Sequence, residues 1–276
     1  MKVLLLGCGF VGKVLATKLK VLGDDVTGWV RSEDSAQALK ELGIRSIVGD
    51  FTDAIAWHNV TTDFDLAIHM ASSGRGDQSV YEKVYFEGMR LVAEKLGRAR
   101  LIFVSSTSVY AQVDGSMVDE ASLAQPTSAT SQVLLKAESI ALQRGGIVVR
   151  PSGIYGPNRS ILFQKFMEGM AVIEGDGKRW INQIHRDDVA GGIVHLVQRP
   201  ELAGIFNLTD DRPTNYLEVY GWLSEKTGKP MPPPAPENHQ RKRGWTHKRI
   251  SNQKMKSLGW KLEYPTFKEG YGSFLF

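Results

Sequence analysis

Cysteine is almost absent from this 276-residue sequence, which contains only Cys8. An internal disulfide is therefore excluded, and the composition suits a reducing cytoplasm. Long apolar runs are also absent, because none approaches the ~20 residues that span a bilayer. The apolar stretch at the amino terminus runs directly into a glycine turn, which argues against a signal peptide. These features predict a cytoplasmic protein with no membrane partner.

Acidic residues are missing from the segment Asn238–Lys261, although the net charge of the whole chain is only +4. Such a segment could bind nucleic acid or a phosphorylated ligand, or it could be a solvated helix and loop. No nucleic-acid-binding motif is present, so a phosphate-bearing or nucleotide-linked ligand is the favoured functional interpretation. The basic residues of the segment are Arg241, Lys242, Arg243, Lys248, Arg249, Lys254, Lys256 and Lys261.

Strand and helix patterns alternate through the first two hundred residues, which predicts an α/β fold with a Rossmann-type, doubly wound parallel sheet. The predicted strands are Lys2–Leu6, Asp25–Val30, Arg45–Val48, Asp65–His69, Arg100–Ser105, Ile147–Arg150 and Gly204–Asn207. The predicted helices are Val11–Leu22, Ser35–Leu42, Ser79–Leu96, Val133–Gln143 and Val189–Gln198. Residues 1–150 are predicted to form a dinucleotide-binding domain, to which the strand and helix near 184–208 return. Residues 151–183 and 209–276 are predicted to form a smaller C-terminal substrate-binding domain.

A glycine turn, Gly7-Cys8-Gly9-Phe10-Val11-Gly12, joins the first predicted strand to the first predicted helix. Gly7 permits a tight turn, Gly9 lets the backbone approach a pyrophosphate, and Gly12 lets the helix pack closely on the strand. The helix then directs free N–H groups and its positive dipole end at the pyrophosphate. The turn, including Phe10 and Val11, is therefore predicted to bind NAD or NADP.

Polar and small residues follow the other predicted strands, at the edge of the sheet where α/β folds bind ligands. Arg31, with Ser32 beside it, favours NADP over NAD, because an arginine at this point accepts a 2′-phosphate. Its alternative role is that of an exposed loop residue. The remaining predicted cofactor residues are Asp50 and Phe51 at the adenine, Ala71, Ser72 and Ser73 near the ribose, and Ser105 in the hydroxyl-rich run Ser105–Ser108. No metal site is predicted.

Together these motifs resemble the extended short-chain dehydrogenase/reductases, the NAD-dependent epimerase/dehydratase group that mostly handles nucleotide sugars. The resemblance also includes the motifs at 149–157, containing Pro151, and at 184–190. It implies that Pro151 lies beside the cofactor and that Ser106 positions the substrate oxygen. It also implies a homodimer formed through the helices predicted at Ser79–Leu96 and Val133–Gln143.

The Tyr-x-x-x-Lys dyad of that family is missing from its expected place. Alignment through Pro126-Thr127-Ser128 and Glu138 puts Thr130 at the tyrosine position and Leu134 at the lysine position. Threonine is a far poorer proton donor than tyrosine near neutral pH, and leucine, unlike lysine, cannot lower the pKa of a neighbouring hydroxyl. Lys136 lies about 200° around the helix from Leu134, so it is not expected to replace the lysine.

Two functions are compatible with these residues. The first is an atypical NAD(P)-dependent oxidoreductase or epimerase-like enzyme acting on a nucleotide sugar or related small polar substrate, with Ser106 and Thr130 facing the substrate. It would need another acid, for which Tyr155 and His185 are candidates. The second is a non-catalytic dinucleotide-binding sensor, which the missing dyad favours directly.

Overall fold

The computed structural model describes residues 1–74, 76–239 and 245–275. A parallel sheet of seven strands lies at its centre, in the order β7-β6-β5-β4-β1-β2-β3. Because neighbouring strands run parallel, their carboxyl ends lie at one edge of the sheet. The strands are β1 (Lys2–Leu6), β2 (Asp25–Val30), β3 (Arg45–Val48), β4 (Leu66–His69), β5 (Arg100–Val104), β6 (Ile147–Pro151) and β7 (Gly204–Leu208). The predicted Rossmann-type sheet is confirmed, with strand ends within one residue of the prediction.

Helices cover both faces of the sheet, so its strands are buried on both sides. In β1, Val3 and Leu5 join the core on one face, while Leu4 and Leu6 join the core on the other. The helices are α1 (Gly12–Val21), α2 (Glu33–Glu41), α3 (Gln78–Tyr81), α4 (Gly88–Lys95), α5 (Ala129–Gln143), α6 (Ile161–Met167), α7 (Arg186–Val197), α8 (Tyr216–Thr227), α9 (Gln253–Ser257) and α10 (Phe267–Leu275). In the described part of the chain, no helix has the length and apolar character needed to cross a bilayer.

The helix predicted at Ser79–Leu96 is divided into α3 and α4 by a π-helical turn, Glu82–Glu87. Three consecutive residues of this turn reach the carboxyl ends of strands. Lys83 pairs with Asp50 at 2.8 Å, the Val84 carbonyl accepts from His69 Nε2 at 2.9 Å, and the Tyr85 hydroxyl accepts from the Ser73 backbone at 3.3 Å. The π turn therefore attaches this helix to the edge of the sheet at which the carboxyl ends of the strands lie.

A third, mainly aromatic core lies in the C-terminal part of the chain. Its buried members are Tyr155, Phe166, Ala171, Tyr216, Val219, Tyr220, Leu223, Phe267 and Tyr271. These residues come from the two segments predicted to form the substrate-binding domain. Ile250, Met255 and Trp260 instead pack into the two cores of the large sheet. The division into two domains stays a prediction.

Candidate functional site

The predicted cofactor residues follow successive strands along the carboxyl edge of the sheet. In the order of the strands they are Pro151, Ser105, Ala71–Ser73, Gly7–Gly12, Arg31–Ser32 and Asp50–Phe51. The sheet order reverses direction at β1, which has β2 on one side and β4 on the other. Ligands of open α/β sheets bind in the crevice at such a switch point.

Gly7 and Ala71 meet at this crevice. Gly7 has φ +92°, and a Cβ added to it would lie 2.5 Å from the backbone nitrogen of Ala71. The Gly7 N–H donates to the Trp29 carbonyl at 3.0 Å, which fixes the turn against β2. Only glycine fits this position, as the motif predicts.

Gly9 borders open space, since a Cβ at this residue would have no other atom within 4 Å. A groove of about 470 Å³ begins here and is lined by Gly9, Phe10, Lys13, Val14, Thr17, Ser35, Leu42 and Arg186. Gly12 packs tightly instead, with its Cβ position 3.1 Å from the Gly7 carbonyl oxygen. No acidic residue lies in the first turn of α1, so its positive end is not neutralised locally. The turn thus offers the open, electropositive surface that a pyrophosphate requires.

Arg31 is exposed directly after β2, and it forms no ion pair with the described residues. Ser32 caps α2, because its hydroxyl accepts from the Ser35 backbone at 3.4 Å. Glu33 and Asp34 follow in the first turn of α2. The Arg31 guanidinium is therefore accessible to solvent at the carboxyl end of β2.

Asp50 and Phe51 are held by neighbouring side chains. Burial raises the pKa of Asp50, but hydrogen bonds from Lys83 and Thr52 outweigh that effect and lower the pKa. Phe51 is buried and packs edge-on against His69, with ring centroids 5.1 Å apart. An adenine could reach only the exposed side of this pair.

His69 belongs to the core. Its complete burial lowers its pKa to about 4, so the ring is neutral at neutral pH. The following residues are more accessible: Ser72 is exposed, and its hydroxyl accepts from the Gly74 backbone at 3.1 Å. Ser73 is buried, and its hydroxyl has no hydrogen-bond partner within the described residues.

Ser105 lies in a buried ionic network. Its hydroxyl donates to Glu138 Oε1 at 2.5 Å, and the Arg150 guanidinium binds both oxygens of the same carboxylate, at 3.0 and 2.5 Å. Glu138 and Arg150 are only 2% and 3% exposed. The Ser105 hydroxyl is thus already occupied by this network, and its contact with a cofactor stays a prediction.

Ser106 and Thr130 are brought into the same region by their neighbours. The Ser106 hydroxyl accepts from the Ser108 backbone at 3.1 Å, and the Ser131 hydroxyl donates to the Ser108 hydroxyl at 3.0 Å. Ser106 remains half-buried, whereas Thr130 is 6% exposed. The amino end of α5 therefore packs beside the hydroxyl-rich end of β5.

Leu134 and Lys136 point in different directions from α5. Leu134 is buried in the core beneath the sheet. Lys136 is exposed, pairs with Glu82 at 3.2 Å and lies over the Phe86 ring. Lys136 therefore lies on the exposed side of α5, away from the buried Leu134.

Tyr155 and His185, the candidate acids, are both buried in the C-terminal part of the chain. Their ring centroids lie 5.4 Å apart, and His185 also packs on Tyr264 at 4.0 Å. Burial, reinforced by the charge of Asp210, raises the pKa of Tyr155 far above its usual range. His185 Nδ1 accepts from the Asp187 backbone at 3.3 Å, which caps α7. Their surroundings suit packing and capping better than proton transfer to a substrate.

Several basic side chains of the segment bind other parts of the chain. Lys248 is buried, donates to the Tyr110 carbonyl at 2.7 Å, and has its pKa lowered to about 8 by burial and by the charge of Arg179. Lys254 binds the Ile205 carbonyl at 2.6 Å, and Lys256 pairs with Asp211 at 2.9 Å. Arg241, Lys242 and Arg243 lie outside the described residues.

Several residues that shape the site edge were not predicted from the sequence. Arg150 left a signal, because it is a charged residue within an otherwise apolar strand, whereas Glu138 lies in a helix with other polar and charged residues. Lys83, Arg159 and Arg186 left none, since their partners are distant along the chain.

Comparisons with known proteins agree with this architecture. Residues 3–209 match the model of the NAD-dependent epimerase/dehydratase family. Protein YeeZ of Escherichia coli K12 is 30% identical over 220 residues, covering 75% of this chain and 77% of YeeZ.

Two solved structures superpose over nearly the whole chain. A candidate NAD-dependent epimerase/dehydratase from Methylobacillus flagellatus has a TM-score of 0.81 and 27% identity, covering 99% of this chain and 97% of its own. UDP-glucuronic acid 4-epimerase of Bacillus cereus, in complex with UDP-glucuronic acid and NAD, has a TM-score of 0.82 and 19% identity, covering 99% and 97%. The second likeness shows the fold alone. The family match and the shared fold establish that this chain belongs to the NAD-dependent epimerase/dehydratase family.

Proposed function

We propose that this chain binds a nicotinamide dinucleotide along the carboxyl edge of its sheet. We further propose that it is an atypical oxidoreductase or epimerase-like enzyme for a nucleotide sugar or related small polar substrate. The observation that carries the proposal is the contact of Gly7 with Ala71 at the switch point, beside the open space at Gly9. The Ala71 backbone excludes a side chain at Gly7, and the lack of a side chain at Gly9 leaves the open space that a closely approaching pyrophosphate requires. A family member with bound UDP-glucuronic acid and NAD supports the substrate class.

The proposed cofactor residues are Gly7, Gly9, Phe10, Val11, Gly12, Arg31, Ser32, Asp50, Phe51, Ala71, Ser72, Ser73, Ser105 and Pro151. When bound, the nicotinamide would supply hydride transfer. Ser106 would orient a substrate hydroxyl or carbonyl, and Thr130 would contact the same substrate. Neither hydroxyl has the acidity of a tyrosine, so proton exchange would depend on the substrate or on solvent.

Turnover distinguishes an enzyme from a sensor. We expect slow NAD(P)-dependent turnover with one member of a panel of nucleotide sugars and small carbonyl compounds. Ser106→Ala should lower kcat/KM by about a hundredfold, because a positioned hydrogen-bond donor is lost. The matched control is Ser139→Ala, since Ser139 lies on the exposed face of α5 and should leave turnover unchanged. Equal activity in both variants would exclude the role of Ser106.

A sensor remains the second candidate, and the burial of Leu134 in the core favours it. Saturable dinucleotide binding without turnover across the whole panel would support this function. Calorimetric titration with NADH and NADPH tests the premise that both candidates share. Absence of saturable binding for either dinucleotide would overturn both.

The exposed Arg31 favours NADP over NAD, and its replacement should reveal that preference. Arg31→Ala should weaken NADPH binding by about tenfold or more while changing NADH binding little, because only NADPH carries the 2′-phosphate. Arg98→Ala is the control, since Arg98 is exposed before β5, at the opposite edge of the sheet. Equal effects of Arg31→Ala on the two cofactors would contradict the preference.

A homodimer formed through α3–α4 and α5 is also part of the proposal. A surface groove of about 670 Å³ runs between these elements, lined by Asp77, Gln78, Ser79, Glu82, Lys83, Glu87 and Lys136.

A further inference from the structure

The aromatic ring of Phe10, in the glycine turn, contacts two arginine side chains. The Arg159 and Arg186 guanidinium carbons are 5.1 and 4.9 Å from the ring centroid. The turn is thereby connected to two segments that lie far from it in sequence.

The local backbone is shaped to permit this arrangement. Gly156 and Arg159 exchange backbone hydrogen bonds of 3.2 and 3.1 Å, and Asn158 between them adopts a left-handed conformation with φ +62°. A Cβ on Gly156 would lie 3.1 Å from Arg186 Cγ and 3.2 Å from Phe10 Cζ. Glycine at 156 therefore leaves the space in which Phe10 and Arg186 meet.

Both arginines retain free hydrogen-bond donors. Arg159 is exposed and has no carboxylate partner among the described residues. Arg186 donates through Nε to Asp187 at 3.3 Å, while its two terminal nitrogens have no hydrogen bond within the described part of the chain. A guanidinium that packs beside a ring can direct its in-plane N–H groups away from that ring, where they can bind an oxyanion in a bidentate manner.

The groove beside Gly9 shows where an anion bound by Arg186 would lie; Arg159 does not line this groove and is adjacent to it through the Phe10 ring. Arg186 and Lys13 both line it, together with Gly9 and the half-buried Phe10. The amino end of α1 contributes further positive potential at the same place. Asp187 is the acidic residue next to these cations, and it already accepts from Arg186. The charge of this groove is therefore positive overall and suits a diphosphate.

We propose that Arg159 and Arg186 bind the pyrophosphate of the dinucleotide and that Phe10 positions them. This inference rests on the proposed function, because it requires that a dinucleotide binds. It adds to the glycine turn two cationic ligands from chain segments beyond residue 150. The phosphate would be held by backbone N–H groups on one side and by guanidinium groups on the other.

Calorimetric binding to the full-length protein tests the proposal with probes that differ in the pyrophosphate. NADPH and ADP-ribose contain it, whereas adenosine 2′-monophosphate does not. The double variant Arg159→Gln/Arg186→Gln should bind the first two at least tenfold more weakly and the third within twofold of the unmodified protein. Arg186→Lys should give an intermediate loss, since it keeps the charge without the bidentate geometry.

Two controls separate binding from folding. Arg98→Gln should leave all three affinities unchanged. If the two arginines have a purely structural role, thermal unfolding will show a lower Tm for the variants while their affinities stay unchanged. That result would overturn the inference. If the unmodified protein binds neither NADPH nor NADH, the proposed function and this inference both fail. If it binds NADPH, and the double variant binds it within twofold, the inference alone is wrong.

Discussion

Replacing Gly7 by alanine is expected to destabilise the protein by about 3 kcal/mol and to abolish dinucleotide binding. The φ of +92° is unfavourable for any L side chain, at a cost of roughly 1–3 kcal/mol. The new methyl group would also overlap the Ala71 backbone, so β1 and β4 would have to separate at the crevice. Urea unfolding and calorimetric titration with NADPH measure the two effects.

Gly9→Ala is the matched comparison, because the Gly9 position has open space around it. We expect its free energy of unfolding to change by less than about 1 kcal/mol. Its affinity for the dinucleotide should nevertheless fall, since the methyl group would occupy the approach to the turn. The Gly97→Ala substitution, also in open space but at the opposite sheet edge, should not affect binding. Unchanged binding in Gly9→Ala would contradict the placement of the pyrophosphate.

Glu138→Ala is expected to lower the free energy of unfolding by about 3–5 kcal/mol, because it leaves the Arg150 guanidinium buried without its carboxylate. The double substitution Glu138→Leu/Arg150→Met should recover much of this loss, since apolar pairs of similar volume often replace buried ion pairs without penalty. Urea unfolding of the three proteins measures the difference.

The exposed pair of Arg90, on α4, and Glu87, the last residue of the π turn, provides the control. Its side chains are 57% and 45% exposed, so Glu87→Ala should change the free energy of unfolding by at most about 1 kcal/mol. A loss below about 1 kcal/mol for Glu138→Ala would show that the buried pair of Glu138 and Arg150 does not stabilise the packing of α5 on β6.

The large sheet could be predicted from the sequence because its strands are short apolar runs between recognisable turns. Helix starts were less accurate. The helix predicted from Ser35 begins at Glu33, because Ser32 is its cap, and the helix predicted from Val189 begins at Arg186, because the His185 ring caps it. Histidine is an unusual cap, so that boundary had no clear signal.

The candidate site was predictable where consecutive residues form a motif of known geometry, as in the turn from Gly7 to Gly12. It was not predictable where the geometry of the site depends on pairs that are distant along the chain. Asp50 meets Lys83, and Phe10 meets Arg159 and Arg186, only because the sheet brings separate segments to one edge. Spacing along a single sequence contains no information about such pairs.

The π-helical turn of residues 82–87 also limits how the length of this chain can vary. A π turn contains more residues than an α turn, so deleting one residue would allow it to become α-helical. Because a π turn takes up its extra residue locally, α3 and α4 would keep the faces that they present to the core, and Met89 and Val92 would stay buried. Lys83, Val84 and Tyr85 would instead lose the spacing with which they reach the ends of β3 and β4. The extra residue of the turn therefore serves the carboxyl edge of the sheet, whereas the core does not need it.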